Sequence, residues 1–300
     1  MTIEKLNELF GNTDTIQFYN GNGELKFLTV KNKNAQATIS LYGGQILSFI
    51  PDQQADLLWM SAASIFEKGK AIRGGIPICF PWFGPHLTDT TKSQHGFARL
   101  QEWEVATINL IDEGTTLVTL ILKESTASLQ LWPYKFIATL SFTIGKSLDV
   151  TLTIKNSDEN KFEYSDALHT YFNISNIDLI EVGGLQDAGF YEGFDLNLKT
   201  QNSENIKFTG ETNRRYIHTK SNCFIQDDGF NRKIKVSKSG SRVTIVWNPG
   251  AIVSKSISDM DPSGYKNFIC IEPANAYPGI DMIVLEPGES YSLSTCIEII

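Results

Sequence analysis

Long apolar runs are absent from this 300-residue sequence, and cysteine is scarce. No segment approaches the roughly 18 consecutive apolar residues that span a membrane. The first residues include the acid Glu4 and form no apolar run of signal-peptide length. These absences predict a cytoplasmic protein. The cysteines form no Cys-x-x-Cys pair, which disfavours a zinc knuckle or a disulfide framework. We interpret all four as small core residues: Cys79, Cys223, Cys270 and Cys296.

Positive charge is also in short supply. The sequence has 26 Lys and Arg against 34 Asp and Glu, which gives a formal net charge of −8 at pH 7. A surface with this balance repels nucleic acid and anionic membranes, so neither is an expected partner. We expect a monomer that binds a small molecule. If that molecule is anionic, a local cluster of cations must hold it.

Motifs for several common chemistries are missing. The sequence has no Gly-x-x-x-x-Gly-Lys-Ser/Thr loop, no Gly-x-Ser-x-Gly elbow and no His-Glu-x-x-His pair. Phosphoryl transfer by a Walker loop, elbow-type hydrolysis and zincin chemistry therefore have no support. Asp259 and Asp261 resemble the start of a calcium loop, but Pro262 breaks its spacing. We expect no metal and no cofactor.

The sequence does contain a segment in which apolar and polar residues alternate with a period of two. Leu148, Val150, Leu152 and Ile154 alternate with polar residues, which turns one face of an extended strand inward and the other outward. Other runs have strand composition, broken by Gly, Asn, Asp and Ser. They cover residues 26–30, 38–50, 103–108, 116–122, 134–144, 243–247, 268–271 and 291–297.

The strand pattern decides the fold class. Apolar residues at helical spacing predict a short helix over Ile3–Phe10. No stretch shows the repeated exchange of strands and 10- to 15-residue helices that is typical of a parallel sheet, which disfavours a dinucleotide fold. We predict an all-β protein, a large antiparallel β-sandwich with a few short helices, forming a single domain over residues 1–300.

One segment is unlike a strand. Residues 72–85 contain three prolines and three glycines, which prevent regular strand pairing, together with six large apolar residues that require burial. This segment must fold tightly against the body of the protein. An ordered loop of this kind either builds a functional site or is a buried connection between sheets, and both readings stay open.

His169 and Glu272 are candidates for acid and base chemistry. His169 follows a strand-like run, and Tyr171 shares its face if the segment is extended. A core histidine with satisfied hydrogen bonds is an alternative reading. Glu272 ends the apolar run 268–271 and precedes Pro273. A carboxylate beside apolar walls can have a raised pKa and act as a base, and the alternative reading is a solvated glutamate at a strand end.

Two arginines are candidates for anion binding. Arg73 lies in the apolar loop, where a guanidinium needs either a protein carboxylate or a ligand phosphate. Arg99 follows His95 and Gly96, so these residues could frame a ligand, with Arg99 offering two parallel hydrogen bonds to an anion. The other histidines lie among polar turn residues and are read as surface groups: His86 and His218.

Five stretches in order resemble the aldose 1-epimerase superfamily, and specifically its hexose-6-phosphate mutarotase branch. They read Arg-Gly-Gly-Ile-Pro-Ile-Cys-Phe-Pro-Trp-Phe-Gly at 73–84, Gln-His-Gly-Phe-Ala-Arg at 94–99, Ala-Leu-His-Thr-Tyr-Phe at 167–172, Val-Trp-Asn-Pro at 246–249 with Lys255 and Asp259, and Cys-Ile-Glu at 270–272. The resemblance implies a β-sandwich of the galactose mutarotase type, with the site on one sheet.

The resemblance also implies roles for residues and a reaction. His169 matches the general acid and Glu272 the general base. These two groups open and reclose the sugar ring, so that the α and β anomers of a hexose 6-phosphate interconvert. Arg73, Gln94 and Arg99 match substrate-binding positions, with the arginines as phosphate ligands, and His95 is grouped with them.

One position departs from the family pattern. Asn213 stands where the family often has a substrate-binding aspartate, and an amide is a weaker acceptor than a carboxylate. Alternatively the alignment shifts, and Glu211 supplies the carboxylate. Two rival functions follow: an epimerase for unphosphorylated aldoses, in which the arginines pair with protein carboxylates, or a sugar-phosphate-binding sandwich without catalysis.

Overall fold

A computed structural model describes residues 1–12, 14–193, 195–276 and 282–300. Strands dominate it and helices are short, as predicted. The α-helices are α1 Ile3–Phe10, α2 Thr126–Leu131 and α3 Gly250–Val253. Helix α1 has the predicted bounds because Thr2 caps its first turn and Leu6 is buried against the core. Single 3-10 turns lie at Asn22–Glu24, Ala98–Leu100, Ile177–Leu179, Ser254–Ser256 and Gly264–Asn267.

The strands are numbered in chain order. They are β1 Ile16–Asn20, β2 Lys26–Lys31, β3 Ala35–Ser40, β4 Gln45–Pro51, β5 Ile78–Cys79, β6 Glu104–Asp112, β7 Thr115–Lys123, β8 Phe136–Ile144, β9 Leu148–Asn156, β10 Phe162–Tyr164, β11 Asp166–Leu168, β12 Tyr171–Asn173, β13 Ile180–Gly183, β14 Gly189–Glu192, β15 Lys199–Thr200, β16 Asn205–Ile206, β17 Thr212–Tyr216, β18 Cys223–Asp227, β19 Arg232–Ser239, β20 Val243–Asn248, β21 Phe268–Asn275, β22 Ile283–Leu285 and β23 Ser290–Ile299.

Two large antiparallel sheets carry most of these strands. In the described residues, the nine-stranded sheet has the order β16-β13-β18-β19-β23-β9-β8-β7-β6. The eight-stranded sheet has the order β15-β14-β17-β20-β21-β11-β5, and β12 also pairs with β21. Smaller sheets are β1-β2-β3-β4 and β10-β22. The predicted all-β, antiparallel fold is therefore confirmed.

The core is built by strand alternation. Leu148, Val150, Leu152 and Ile154 in β9 are all fully buried, as the period of two predicted. Each such side chain stabilises the fold by roughly 1.5–3 kcal/mol relative to an exposed one. The neighbouring strand β8 has the same alternation, so the two strands share one continuous buried face. Residues 38–50, read as one run, are instead split between β3 and β4 by a turn.

The loop of residues 72–85 is tightly packed, as expected. Its only regular strand is the short β5. Gly75 has φ +60°, and a β-carbon there would lie 2.2 Å from the carbonyl oxygen of Ile46. Gly96 meets the loop in a similar way, since its β-carbon would lie 2.0 Å from the carbonyl oxygen of Phe80. Only glycine allows such close approaches of two backbones.

No helix in the described parts of the chain is both long enough and apolar enough to cross a membrane. The single-domain organisation stays a prediction.

Candidate active site

The apolar loop of residues 72–85 positions the candidate histidine. His169 lies between β11 and β12, and its backbone N–H donates to the carbonyl of Pro77 at 3.1 Å. The N–H of Tyr171 donates to the carbonyl of Gly75 at 2.9 Å. These hydrogen bonds replace regular strand pairing for a segment that the loop's prolines and glycines keep irregular. The loop therefore fixes the backbone of the candidate histidine.

Glu272 is in the middle of β21, not at the end of a strand as expected. The strand continues through Pro273 to Asn275, with Glu272 opposite Ile245 of β20. The reason is that proline pushes the residue before it towards an extended conformation, which a strand accepts. Glu272 is 1% exposed, so it is not the solvated glutamate that the alternative reading allowed.

His169 and Glu272 face each other in this buried environment. Nδ1 of His169 lies 3.4 Å from Oε1 of Glu272, and their side chains are 10% and 1% exposed. Nδ1 of His169 and Oε2 of Glu272 have no hydrogen-bond partner within the described residues. His169 is therefore not a core histidine whose hydrogen bonds are all satisfied.

Burial shifts the pKa values of the two groups in opposite directions. It raises the pKa of Glu272 well above its ordinary value of 4.5. Burial, and after it the charges of Arg99 and Arg73, lower the pKa of His169 to about 3. Each shift disfavours the charged form in a medium of low dielectric constant. Without a ligand, the proton of the pair therefore resides on the carboxyl group.

His95 packs edge-on against His169, with ring centroids 5.6 Å apart. Its Nδ1 accepts a hydrogen bond from the N–H of Gly84 at 3.2 Å. Burial, followed by the charges of Arg99, His169 and Arg73, lowers the pKa of His95 well below 6.5. Because Nδ1 is an acceptor, the neutral ring carries its proton on Nε2. His95 can therefore donate one hydrogen bond to a neutral ligand group.

Tyr171 links the candidate histidine to an arginine. Its ring stacks on that of His169 at a centroid distance of 4.8 Å and an angle of 8°. Its hydroxyl accepts a hydrogen bond from Nη1 of Arg73 at 3.1 Å. The Nε of Arg73 donates to Oδ1 of Asp259 at 3.1 Å, and Nη2 lies 2.9 Å from the same oxygen. Although burial opposes its charge, Tyr171 and Asp259 raise the pKa of Arg73.

Arg99 adds a second guanidinium to this group. Its Nη2 donates to the backbone carbonyl of Gln94 at 2.8 Å, whereas its buried Nε has no hydrogen-bond partner in the part of the chain described. Burial lowers the pKa of Arg99, and the positive charge of Arg73 acts in the same direction. Arg73 is thus paired with Asp259, while Arg99 lies near enough for the two guanidiniums to repel each other, an arrangement that favours an anion. Gln94 itself is exposed and contributes its carbonyl.

Asn213 lies on the same face of the eight-stranded sheet as Cys270, two strands away from it. It pairs with Trp247 in β20, which in turn pairs with Cys270 in β21. Side chains in register on neighbouring antiparallel strands point to the same face, so these three form one row. Glu211 precedes β17 and is exposed, whereas Asn213 is half-buried. Asn213 is thus the better placed of the two to meet a ligand.

Sequence reasoning gave no role to several residues at this site. Trp247 packs edge-on against His169, with ring centroids 5.9 Å apart. Arg215 lies two residues after Asn213 in β17 and therefore on the same face. Cys270 was read only as a small core residue, yet its sulfur lies near the acid–base pair. The signal for Cys270 was its spacing of two residues from Glu272, which places both on one face of a strand.

The antiparallel sandwich carries a buried imidazole–carboxylate pair on one sheet, and its fold is that of the mutarotases. The chain belongs to the aldose 1-epimerase family, whose match covers residues 26–298. The expected family is therefore confirmed.

Individual relatives support this family assignment. A protein of Escherichia coli (strain K12) named "Putative glucose-6-phosphate 1-epimerase" is 34% identical over 253 residues, which cover 84% of either chain. A protein of Cenchrus ciliaris with the same name is 35% identical and matches 86% of this chain and 80% of its own. The crystal structure of a "putative mutarotase (YeaD)" from Salmonella typhimurium superposes with a TM-score of 0.89 at 28% identity, covering 98% of this chain and 99% of that one.

Proposed function

We propose that the protein interconverts the α and β anomers of hexose 6-phosphates of the glucose 6-phosphate type. The observation that carries this proposal is the pairing of His169 with Glu272 at 3.4 Å, near enough to the guanidiniums of Arg99 and Arg73 for their charges to act on His169. The pair supplies the acid–base chemistry of an aldose 1-epimerase. The names of the two relatives above point to the same phosphorylated substrate.

The reaction needs only proton transfers. Glu272, as a carboxylate, takes the proton of the hydroxyl on carbon 1 while His169, as an imidazolium, gives a proton to the ring oxygen. The bond between carbon 1 and the ring oxygen breaks, and an open-chain aldehyde forms. After rotation about the bond beside the aldehyde, the two residues return the protons in reversed roles and the other anomer closes.

The phosphate has a second role besides anchoring the sugar. The reaction requires a positive charge on His169, and the charges of Arg99 and Arg73 oppose it. A phosphate dianion between the two guanidiniums offsets this repulsion, so that the proton moves more readily from Glu272 to His169. Binding energy at the phosphate thereby favours the reactive protonation state at the other end of the sugar.

The remaining polar residues are assigned to substrate binding. Nε2 of His95 is a neutral donor for a sugar oxygen, and Asn213 is an amide partner for a hydroxyl in the row with Trp247. Gln94 supports Arg99 through its carbonyl. We further propose that the chain acts as a monomer of one domain in the cytoplasm.

A second candidate function is mutarotation of unphosphorylated aldoses. It is favoured by the hydrogen bonds of Arg73 to Asp259, because a guanidinium that already has a carboxylate partner need not bind phosphate. Exchange NMR on the anomers of glucose 6-phosphate and glucose separates the two candidates. We expect clear acceleration of exchange for glucose 6-phosphate and a much smaller effect on glucose. Equal acceleration favours the second candidate, and no acceleration of either excludes both.

Asn213→Asp tests the position that departs from the family. A carboxylate accepts a stronger hydrogen bond from a sugar hydroxyl than an amide does, by about 1 kcal/mol. We expect the KM for glucose 6-phosphate to fall about fivefold, with kcat little changed. Asn213→Ala is the matched control and is expected to raise KM. If neither variant changes KM, Asn213 does not contact the sugar.

A further inference from the structure

Cys270 lies beside the acid–base pair but takes no part in the proton transfers described above. Its sulfur, one ring nitrogen of His169 and one carboxylate oxygen of Glu272 all lie within 4.8 Å of one another. All three residues are buried. We propose that these side chains form a binding site for a thiophilic divalent cation, with Zn²⁺ as the probe, and that the bound ion inhibits the enzyme.

The spacing of the ligand atoms is close to that of a zinc site. Bonds of about 2.3 Å to sulfur and about 2.0–2.2 Å to nitrogen and oxygen place tetrahedral ligands about 3.3–3.6 Å apart. Nδ1 of His169 and Oε1 of Glu272 are already separated by 3.4 Å. Separations of up to 4.8 Å within the group must shorten by roughly 1 Å. Rotation of the cysteine and glutamate side chains can supply such a movement.

Two of the three ligands have atoms that the protein leaves without partners. Nδ1 of His169 and Oε2 of Glu272 are buried, and neither has a hydrogen-bond partner in the described residues. A buried polar atom without a partner is unfavourable, and coordination of an ion would satisfy both atoms at once. Three protein ligands leave the fourth tetrahedral position for water, as in other open zinc sites.

The charge of the site selects the kind of cation. Arg73 and Arg99 lie close enough to lower the pKa of His169, and they would likewise repel an incoming ion. The repulsion is offset if Cys270 and Glu272 both lose their protons to bulk water, because a thiolate and a carboxylate neutralise the two charges of the ion. Zn²⁺ and Co²⁺ bind thiolates well enough to drive this deprotonation, whereas Mg²⁺ and Ca²⁺ prefer oxygen ligands.

Inhibition follows from the identity of the ligands. An ion held by Glu272 and His169 occupies the carboxylate that takes a proton and the imidazole that gives one. The inhibitory part of the proposal rests on the proposed function, whereas binding of the ion does not.

The first experiment measures binding without turnover. Titration of the full-length, metal-free protein with Zn²⁺ should show one ion bound per chain, and Co²⁺ should give the near-ultraviolet absorption of a cobalt–thiolate bond. Cys270→Ser removes the thiolate and should weaken Zn²⁺ binding by about 100-fold while abolishing this absorption. Cys270→Ala is the second variant if the serine disturbs folding. Unchanged Zn²⁺ affinity in a folded Cys270 variant overturns the proposal.

Cys79 provides the matched control. It is buried in β5, and its register with Ala167 and Ala274 places it on the same face of the sheet as Glu272. It is not a member of the three-residue group. Cys79→Ser should therefore bind Zn²⁺ and Co²⁺ like the unmodified protein. Loss of binding in this variant instead would place the ion elsewhere and overturn the assignment.

The second experiment measures inhibition. Zn²⁺ should stop anomer exchange in the unmodified protein and in Cys79→Ser at the concentration at which it binds, and a chelator should restore the rate. Binding without inhibition overturns the inhibitory role. If the protein accelerates no anomer exchange at all, the proposed function fails, while the titration still decides the metal site.

Discussion

Glu272→Gln is expected to slow the interconversion of glucose 6-phosphate anomers by about 10²- to 10⁴-fold, the usual contribution of general acid–base catalysis. The amide keeps the shape of the side chain but cannot accept the proton of the hydroxyl on carbon 1. Exchange NMR between the two anomers measures the rate directly. A variant with close to the unmodified rate would exclude Glu272 as the base.

The stability of this variant is the control for its folding. Burial keeps the carboxyl group of Glu272 protonated well above its ordinary pKa of 4.5. Between the ordinary pKa of the unfolded chain and the raised pKa of the folded protein, the folded state binds more protons than the unfolded chain. This group therefore lowers the free energy of unfolding as pH rises. Glutamine does not ionise. Urea unfolding at about pH 5 and about pH 8 should therefore show the variant at least as stable as the unmodified protein, with the larger advantage at the higher pH.

His169→Asn completes the test of the pair. It should reduce the rate as strongly as Glu272→Gln, because both proton transfers occur in one step. The double variant should be little slower than either single variant, since residues that act as a unit lose their effect together. Additive losses would mean that the two residues act separately.

Local patterns were sufficient to predict the sandwich. The alternation in β9 gave the correct buried face because a strand turns successive side chains to opposite sides whatever its partners are. Helix α1 was equally predictable from its spacing. Shorter strands such as β17, which carries Asn213, were not identified. Their residues are polar, and only pairing with neighbouring strands holds them extended.

The site was only partly predictable. Its histidine, glutamate and arginines were found through ordered motifs, yet their contacts join residues far apart in the chain. Asp259 meets Arg73 across 186 positions, and no local rule connects the two. The full burial of Glu272 also depends on strands β20 and β11 on either side of β21. Such long-range packing sets pKa values that sequence spacing cannot give.

Arg99→Ala is expected to reduce kcat/KM for glucose 6-phosphate by about 100-fold without reducing any activity on glucose. A charged hydrogen bond to phosphate contributes about 2–3 kcal/mol, and about 1.4 kcal/mol corresponds to a factor of ten. The buried Nε of Arg99 has no hydrogen-bond partner among the described residues, so the hydrogen bond that the substitution breaks is the one from Nη2 to the carbonyl of Gln94. Equal losses on both sugars would show instead that Arg99 supports the site's structure.

The same variant separates anchoring of the sugar from activation of His169. If phosphate serves only to hold the substrate, free phosphite dianion should have no effect on the mutarotation of glucose. If it also offsets the charges of Arg99 and Arg73 that lower the pKa of His169, phosphite should accelerate glucose turnover in a saturable way. We expect this acceleration in the unmodified protein and its loss in Arg99→Ala. Arg99→Lys keeps the charge but not the paired hydrogen bonds, and should retain part of it.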